Sequence, residues 1–382
     1  MKENTTITVN HEVLVWARVS IAMSRNSAAE KTGISVKRLI QIEEGEKELT
    51  LEELKSLAKA YKRTIATLLL NTPPKEKPLP TDRRTIDSKG LVSFHEKTIM
   101  AIRKARALVV SLIELKQDAG INIPRFQYKA SIDDNPAALA SLLRKEWNLD
   151  QIQQFENFNF ALDAYIEKVE SLGVAIFQLS LTHDLLRGFS IVDETVPIIG
   201  IKRGGEPPSA KIFTLFHELG HILLNDGGLC DLSENNNQQI EKWCNAFSSE
   251  MLIPTNELLL MKKVIDQKSK GEMIWSKNDL IEIGSRFHVG PLAILRKLLE
   301  NNLTTPEYYN NRHLAWSKPR FGRSKKPEGR NIAKETIKEK GRTFISLAFS
   351  AYDQNRIDLK DLSDFLGVKL LYISKTRQFL NI

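Results

Sequence analysis

The sequence predicts an α+β fold that is mostly helical, with an all-α N-terminal domain, a central domain containing a small sheet, and a helical C-terminal region. Three observations predict it. Apolar residues recur every three or four positions across about 9–70 and 91–172, as on the buried face of a helix. Short strand-like runs replace this pattern between Gly173 and Ile201. Helical spacing returns at 209–225 and 236–251 and dominates to the end of the chain.

Composition indicates a globular chain of two or three domains. Its 382 residues are 42% hydrophobic and 27% charged, which is enough apolar material for separate cores. No apolar run approaches the ~18 residues that cross a bilayer, and the N-terminus lacks a secretory pattern. We therefore expect a cytoplasmic protein without membrane contact, and reduced thiols at Cys230 and Cys244 rather than a disulfide. The net charge of +8 favours an anionic partner such as nucleic acid, although charge alone is a weak indication.

Two breaks divide the chain. The segment Asn71–Pro80 contains four prolines and three charges, which predicts an exposed linker. We predict an N-terminal domain over 1–72, a linker over 73–90, a helical region over 91–172, a central domain over 173–265, and a second helical region over 266–382. The basic stretch 317–329 is a second candidate linker, with a phosphate-contacting arm as the alternative.

The N-terminal domain carries a helix-turn-helix pattern. A short helix with small residues ends at Gly33, which suits a sharp turn, and Ser35 can then cap a second helix from Val36 to Ile42. The apolar residues of that helix face a core, which leaves three polar side chains to point outward, as major-groove recognition requires: Lys37, Arg38 and Gln41. The alternative is a helical protein-binding module, since the acidic stretch Glu43–Glu48 would repel phosphates if it faced them.

The central domain begins with strand-like runs and continues into helices. Gly173–Leu181 is the first run, and Gly188–Asp193 and Val196–Ile201 form a plausible strand pair. The helix that follows contains the pattern His-Glu-x-x-His at 217–221. Residues four apart lie on one face of a helix, so His217 and His221 can hold one metal ion.

The metal that suits this pattern is Zn²⁺, one ion per chain. Two imidazoles and a carboxylate match a borderline-soft ion that keeps one coordination position for water. Glu218 lies beside that position, where it can take a proton from water and return it to a leaving amine. Because Phe213–Leu224 is apolar almost all round, buried polar residues there would be costly without a partner. Gly220 between the histidines would let another element approach closely.

A third protein ligand is needed, and Glu241 is favoured. It lies four residues before Asn245 in the next helix, so both share one face, with Asn245 available to hold a ligand histidine by its second nitrogen. The competing ligands are one helical residue and three residues in the intervening segment: Glu250, Asp226, Asp231 and Glu234. His183 and His288 could polarise a carbonyl, but a lone histidine is more often structural.

These segments resemble two known families. Residues 9–70 resemble the Xre-type helix-turn-helix of repressors in Ala-Glu-Lys-Thr-Gly-Ile-Ser, Ile-Glu-Glu-Gly and Leu-Ala-Lys-Ala-Tyr. Residues 188–254 resemble the ImmA/IrrE zinc metallopeptidases in Val-Pro-Ile-Ile-Gly-Ile, the His-Glu-x-x-His helix and Ile-Glu-Lys-Trp-Cys-Asn-Ala-Phe. The second resemblance implies a zincin-like (gluzincin) fold, zinc on His217, His221 and Glu241, and Glu218 as general base. The segment Met-Ser-Arg-Asn-Ser, which leads into the helix-turn-helix, lacks the glutamine common in the first family. This departure weakens the inference of a specific DNA contact from that segment.

The two resemblances together imply a regulator that binds a double-stranded DNA operator, through Ser35, Lys37, Arg38 and Gln41. Its zinc endopeptidase domain would cleave a partner repressor, or itself, in a stress response or in mobile-element control. The alternative is an antitoxin-type autoregulating transcription factor that pairs with a toxin and whose metal is structural or sensory. A third hypothesis is a sensor in which the unassigned helices bind an effector. A homodimer on two half-sites is a further expectation.

Overall fold

The computed structural model describes residues 6–77, 79, 96–181, 187–192, 195–225, 234–316 and 331–380, without the side chains of 234–238. The chain divides into two compact units. The first comprises Met1–Thr81 with Thr85–Arg103, and the second comprises Asp82–Arg84 with Lys104–Ile382. Most of the predicted linker 73–90 and all of the stretch 317–329 lie outside the described residues.

The first unit is a small helical bundle. Its elements are β1 (Thr6–Ile7), α1 (His11–Val19), α2 (Arg25–Thr32), α3 (Val36–Glu43), β2 (Leu49–Thr50), α4 (Leu51–Tyr61), α5 (Ile65–Leu68) and the start of α6 (Glu96–Asp118). The sequence predicted only helices over 9–70, but β1 and β2 form an antiparallel pair. The reason is local, because Leu49 is buried and Thr50 must be extended to cap α4 in a capping box with Glu53.

Glu43 at the end of α3 is buried and paired in this unit. Arg18 Nε lies 2.6 Å from Glu43 Oε1, and Arg25 Nε lies 2.7 Å from Glu43 Oε2. Burial alone would raise the pKa of Glu43, but the two guanidinium groups hold the pKa below its usual range. The first carboxylate of the acidic stretch Glu43–Glu48 therefore points into the protein and joins α3 to α1 and α2.

The second unit combines one sheet with many helices. After α6 come α7 (Pro136–Glu146), a 3₁₀ helix (Leu149–Gln154), α8 (Phe158–Ser171), β3 (Ala175–Leu179), β4 (Gly188–Ile191), β5 (Ile198–Lys202), α9 (Pro208–Leu223) and α10 (Glu234–Leu252). The remaining helices are α11 (Thr255–Leu260), α12 (Lys262–Ser269), α13 (Lys277–Arg286), α14 (Pro291–Glu300), α15 (Pro306–Trp316), α16 (Ile332–Lys340), α17 (Arg342–Asp353), α18 (Leu359–Leu366), a 3₁₀ turn (Leu370–Tyr372) and α19 (Ile373–Leu380).

The described strands of the second unit form a sheet in the order β3-β5-β4. β3 and β5 are parallel, with Phe177 opposite Gly200, and β4 and β5 are antiparallel, with Phe189 opposite the same glycine. The predicted pairing of Gly188–Asp193 with Val196–Ile201 is thus confirmed as β4 with β5. α9 packs against β4 and β5, while α16 from the C-terminal region packs against β3. The mostly helical α+β fold predicted from the sequence is confirmed.

The helices α7, α8, α9, α10, α13 and α14 all contribute residues to one hydrophobic cluster, which is the core of this unit. Burial of such a cluster is the main favourable term in folding, because it removes apolar surface from water. Among the described residues, no helix is long and apolar enough to cross a membrane.

Candidate functional site

α9 carries the His-Glu-x-x-His pattern on a buried helix. It begins with Pro208, whose fixed φ suits a first helical turn, and its residues from Leu215 to Gly220 are all buried. His217 and His221 lie one turn apart, with ring centroids 4.9 Å from each other. The side chain of His217 is 4% exposed and that of His221 is 11% exposed, so both imidazoles are largely shielded from solvent.

α10 can reach these histidines because Gly220 has no side chain. A Cβ at Gly220 would lie 3.1 Å from Cys244 Sγ and 3.3 Å from Cys244 Cα, closer than ordinary contacts. The expected close approach at this glycine is therefore present, and the approaching element is α10. The close approach of α10 at Cys244 brings Glu241 and Asn245, on either side of Cys244 in the sequence, next to the two histidines of α9.

Ligand-type atoms of three residues converge between the helices. Glu241 Oε2 lies 3.2 Å from His217 Nε2, Glu241 Oε1 lies 3.4 Å from His221 Nε2, and the two Nε2 atoms are 3.2 Å apart. The other ring nitrogen of His217, Nδ1, lies 3.0 Å from Asn245 Oδ1. The amide oxygen is an acceptor, so this contact places the His217 proton on Nδ1 and leaves a lone pair on Nε2.

This arrangement fits zinc. No residue in the described part of the chain donates a hydrogen bond to the buried Glu241 Oε1, and lone pairs that face one another this closely repel unless a cation lies between them. Zn²⁺ bonds of 2.0–2.1 Å in a tetrahedron place neighbouring ligand atoms about 3.3–3.4 Å apart, close to the separations found here. His217, His221 and Glu241 together form a group that could hold a metal ion.

Glu241 is suited to be the anionic member of the group. Burial would raise the pKa of its carboxyl, but in the absence of a metal the imidazoles of His217 and His221 can carry protons beside it, and this contact holds the pKa well below its usual range. The carboxylate is therefore ionised, as a metal ligand must be.

Glu218 lies one residue beyond His217 and is 2% exposed. Its Oε1 would be 3.1 Å from a Cβ built on Gly188, the first residue of β4. The carboxyl is therefore held against the start of the outer strand of the described sheet, and a side chain at position 188 would displace it. The sequence analysis did not identify Gly188 as part of the site. A glycine at the start of a strand-like run can indicate that another group approaches the backbone closely, and this pattern could have pointed to it.

The competing ligands are engaged elsewhere or not described. Glu250 Oε2 accepts hydrogen bonds from Lys297 Nζ at 2.5 Å and from Thr255 Oγ1 at 2.7 Å. His288 is buried, with its Nε2 2.5 Å from the carbonyl oxygen of Phe155, and plays a structural part. The remaining candidates Asp226, Asp231, His183 and the side chain of Glu234 lie outside the described residues, as does Cys230. Cys244 packs against Gly220 instead of joining the three ligand-type residues.

The helix-turn-helix has the local geometry that its sequence predicts. Gly33 ends α2 with a φ of +74°, a left-handed conformation that favours glycine. Ser35 caps α3, with its Oγ accepting a hydrogen bond from the Arg38 backbone N–H at 3.2 Å. Lys37 is exposed and Gln41 is half-buried on α3.

Arg38 requires a correction, because its side chain does not simply point outward. Arg38 Nε lies 2.9 Å from Glu53 Oε1, and Arg38 Nη2 donates to Glu53 Oε2 at 3.0 Å and to the Glu48 carbonyl oxygen at 2.7 Å. This two-pronged contact ties α3 to α4. The ion pair satisfies the guanidinium internally, which an isolated helix pattern cannot reveal.

Two parts of the chain match known protein families. Residues 14–68 match the Helix-turn-helix family, and residues 169–299 match the IrrE N-terminal-like domain, a zinc-type peptidase family. A search among curated proteins and a search among solved structures give no match. The chain therefore joins an Xre-type helix-turn-helix DNA-binding domain to a metallopeptidase-type domain of the ImmA/IrrE family.

Proposed function

We propose that this protein is a DNA-binding transcriptional regulator whose second unit is a zinc-dependent endopeptidase acting on a partner repressor. The convergence of His217, His221 and Glu241 next to the buried Glu218 is the observation that carries the proposal. The helix-turn-helix in the same chain supports a role in gene control. It also supports a narrow substrate range, because a regulator of this kind would act on a few partner proteins.

The residues divide the chemical work between them. His217, His221 and Glu241 would hold the zinc ion, which when bound polarises a scissile carbonyl and acidifies water. Asn245 would keep the ring of His217 in the tautomer that presents Nε2 to the ion. Glu218 would take the proton from the attacking water and pass it to the leaving amine nitrogen. β4 lies beside this carboxyl, so an extended peptide segment would pass along that side of the sheet.

The test is replacement of Glu218 by Gln in the zinc-loaded full-length protein. The amide cannot accept the proton, so cleavage of a candidate repressor, followed by mass spectrometry of new N-termini, should fall at least 100-fold. Glu307→Gln, which changes an exposed carboxylate on α15, is the matched control and should cleave normally. Zinc content, measured in parallel, should stay at one ion per chain in both variants. Cleavage by Glu218→Gln at the wild-type rate would refute the peptidase proposal.

The DNA-binding part is tested separately. Lys37 is exposed on α3 and is the cation best placed for phosphate contact, so Lys37→Ala should weaken operator binding. Lys375→Ala, which removes an exposed lysine in the second unit, serves as the control. Equal operator affinity in the two variants would argue against α3 as the DNA-contacting helix.

The second candidate is an antitoxin-type autoregulator in which the metal only holds α9 and α10 together. The close burial of Glu218 and His217 favours it, because a buried site suits a structural ion. In that case Glu218→Gln leaves every function intact, while loss of a metal ligand, as in Glu241→Ala, unfolds the second unit. The two proposals thus give opposite results for Glu218→Gln.

A further inference from the structure

A cavity of about 280 Å³ lies in the second unit, away from the metal-binding residues. Its wall comes from α6, α8, β3, α17 and the segment that follows α6. Most of that wall is apolar, including Leu112, Ile113, Ile123, Val196 and Phe344. The volume corresponds to about nine waters at their share of liquid volume, which is room for a small organic molecule.

Glu170 supplies a carboxylate to this apolar wall. Its Oε2 accepts a hydrogen bond from Thr343 Oγ1 at 2.5 Å, the sole hydrogen bond to this carboxyl among the described residues. Its Oε1 lies near Gly341, where a Cβ would be only 3.0 Å away. A second cavity of about 220 Å³ also has Glu170 in its wall, so this residue borders two spaces.

The nearby cations do not neutralise Glu170. Lys340 lines the same cavity, but its ammonium donates to the Phe365 carbonyl oxygen near the end of α18. Lys116 and Glu167 also line the cavity, and their charges oppose each other. Burial raises the pKa of Glu170 to about 7, against the pull of the Thr343 hydrogen bond. Glu170 is half-buried and forms no ion pair among the described residues, so its charge is only partly compensated and would gain from a ligand that supplies a cation.

We propose that this cavity binds a small molecule with an apolar body and a primary ammonium group, and that the ammonium donates to Glu170 Oε1. The apolar residues of α6 and α17 would cover the body of the ligand, and Thr343 would hold the carboxylate in place. An anionic ligand is disfavoured because it would meet this carboxylate inside an apolar wall. The site is independent of the proposed peptidase chemistry, since none of the metal-binding residues lines it.

The experiment is calorimetric titration of the zinc-loaded full-length protein with 2-phenylethylamine and with the near-isosteric 2-phenylethanol at pH 8. The amine should bind at least 10-fold more tightly than the alcohol. Glu170→Gln keeps the shape and the Thr343 contact but removes the charge, so amine affinity should fall about 10- to 100-fold. Glu114→Gln, at an exposed carboxylate on α6 outside the cavity, is the matched control and should bind like the wild type.

Two further variants test whether the amine binds in this cavity and not at the metal-binding residues. Ile113→Trp fills the space and should abolish amine binding, while circular dichroism confirms that the variant is folded. His221→Ala removes a zinc ligand, so unchanged amine affinity in this variant excludes coordination of the amine to the metal. The proposal is overturned if neither compound binds at millimolar concentration, if both bind equally, or if Glu170→Gln binds as the wild type does. It is also overturned if a His221→Ala variant that circular dichroism shows to be folded fails to bind the amine.

Discussion

Replacing Gly220 by Ala tests whether the close approach of α9 and α10 sets the metal affinity. Alanine favours a helix over glycine by about 1 kcal/mol. The new Cβ would lie 3.1–3.3 Å from atoms of Cys244, including its Cα, so relief requires movement of α10 and not a side-chain rotation. Overpacking of this kind costs about 1–3 kcal/mol, so we expect net destabilisation of about 0–2 kcal/mol.

The larger effect should be on zinc. To restore ordinary contact, α10 must move by a few tenths of an ångström, and it carries Glu241 with it. Metal sites tolerate ligand displacements of about 0.2 Å, so zinc affinity should fall about 10-fold or more. The assay is competition for zinc with a calibrated chelator, alongside urea unfolding of the metal-free protein.

Two other variants make this test specific. Gly284→Ala is the matched control. Gly284 lies on α13, which carries none of the metal-binding residues, and a Cβ there would lie 2.7 Å from the Val289 carbonyl oxygen. It should lower stability and leave zinc affinity unchanged. Adding Cys244→Ala to Gly220→Ala removes the nearest atom, Sγ, and should restore part of the affinity. Zinc affinity in Gly220→Ala within twofold of the wild type would refute the reasoning.

Three more predictions follow from the contacts of individual side chains. Asn245→Ala removes the acceptor at His217 Nδ1 and should weaken zinc binding about 10- to 100-fold in the same chelator assay, with Asn245→Asp retaining tight binding. Arg38→Ala should lower the free energy of unfolding of the first unit by about 1 kcal/mol in urea titrations, because it removes the ion pair with Glu53. Lys37→Ala should leave that free energy unchanged. It should instead reduce, by about one, the slope of the logarithm of operator affinity against the logarithm of salt concentration. Glu170→Gln should raise the free energy of unfolding at pH 8 by on the order of 2–3 kcal/mol and change it little at pH 4.5. The reason is that the wild-type carboxyl, with a pKa of about 7 beside Lys116, Glu167, Lys340 and Arg342, loses its stabilising protonated form as pH rises from about 4.5 through about 7. Equal effects of this substitution at both pH values would contradict this prediction.

The elements around the proposed metal site were predictable because their sequence signals are local. The spacing of His217 and His221 implies one helical face, and Gly220 between them implied a close approach before the partner was known. The pairing of β4 with β5 followed from two short apolar runs separated by a few turn residues. Each of these inferences depends on residues within about one helix or one hairpin.

Contacts between distant residues were not predictable in the same way. Arg38 looked like an outward cation on α3, but its partner Glu53 lies 15 residues away on another helix. Glu43 looked like a surface acid until Arg18 and Arg25 were brought beside it by the bundle. The packing of α16 against β3 and the hydrogen bond from Thr343 to Glu170 join residues more than 130 positions apart, and no periodic pattern encodes these contacts.

The buried network of Glu43 has a consequence for recognition. Because one carboxylate is held by arginines from both neighbouring helices, α3 is fixed in orientation before any DNA arrives. A reading helix that is already rigid loses little conformational entropy on binding, so more of its contact energy is available for affinity. The same rigidity limits adaptation to an imperfect operator. In the proposed complex with DNA, the internal charge would therefore act on selectivity without touching a base, through the stiffness that it gives to α3.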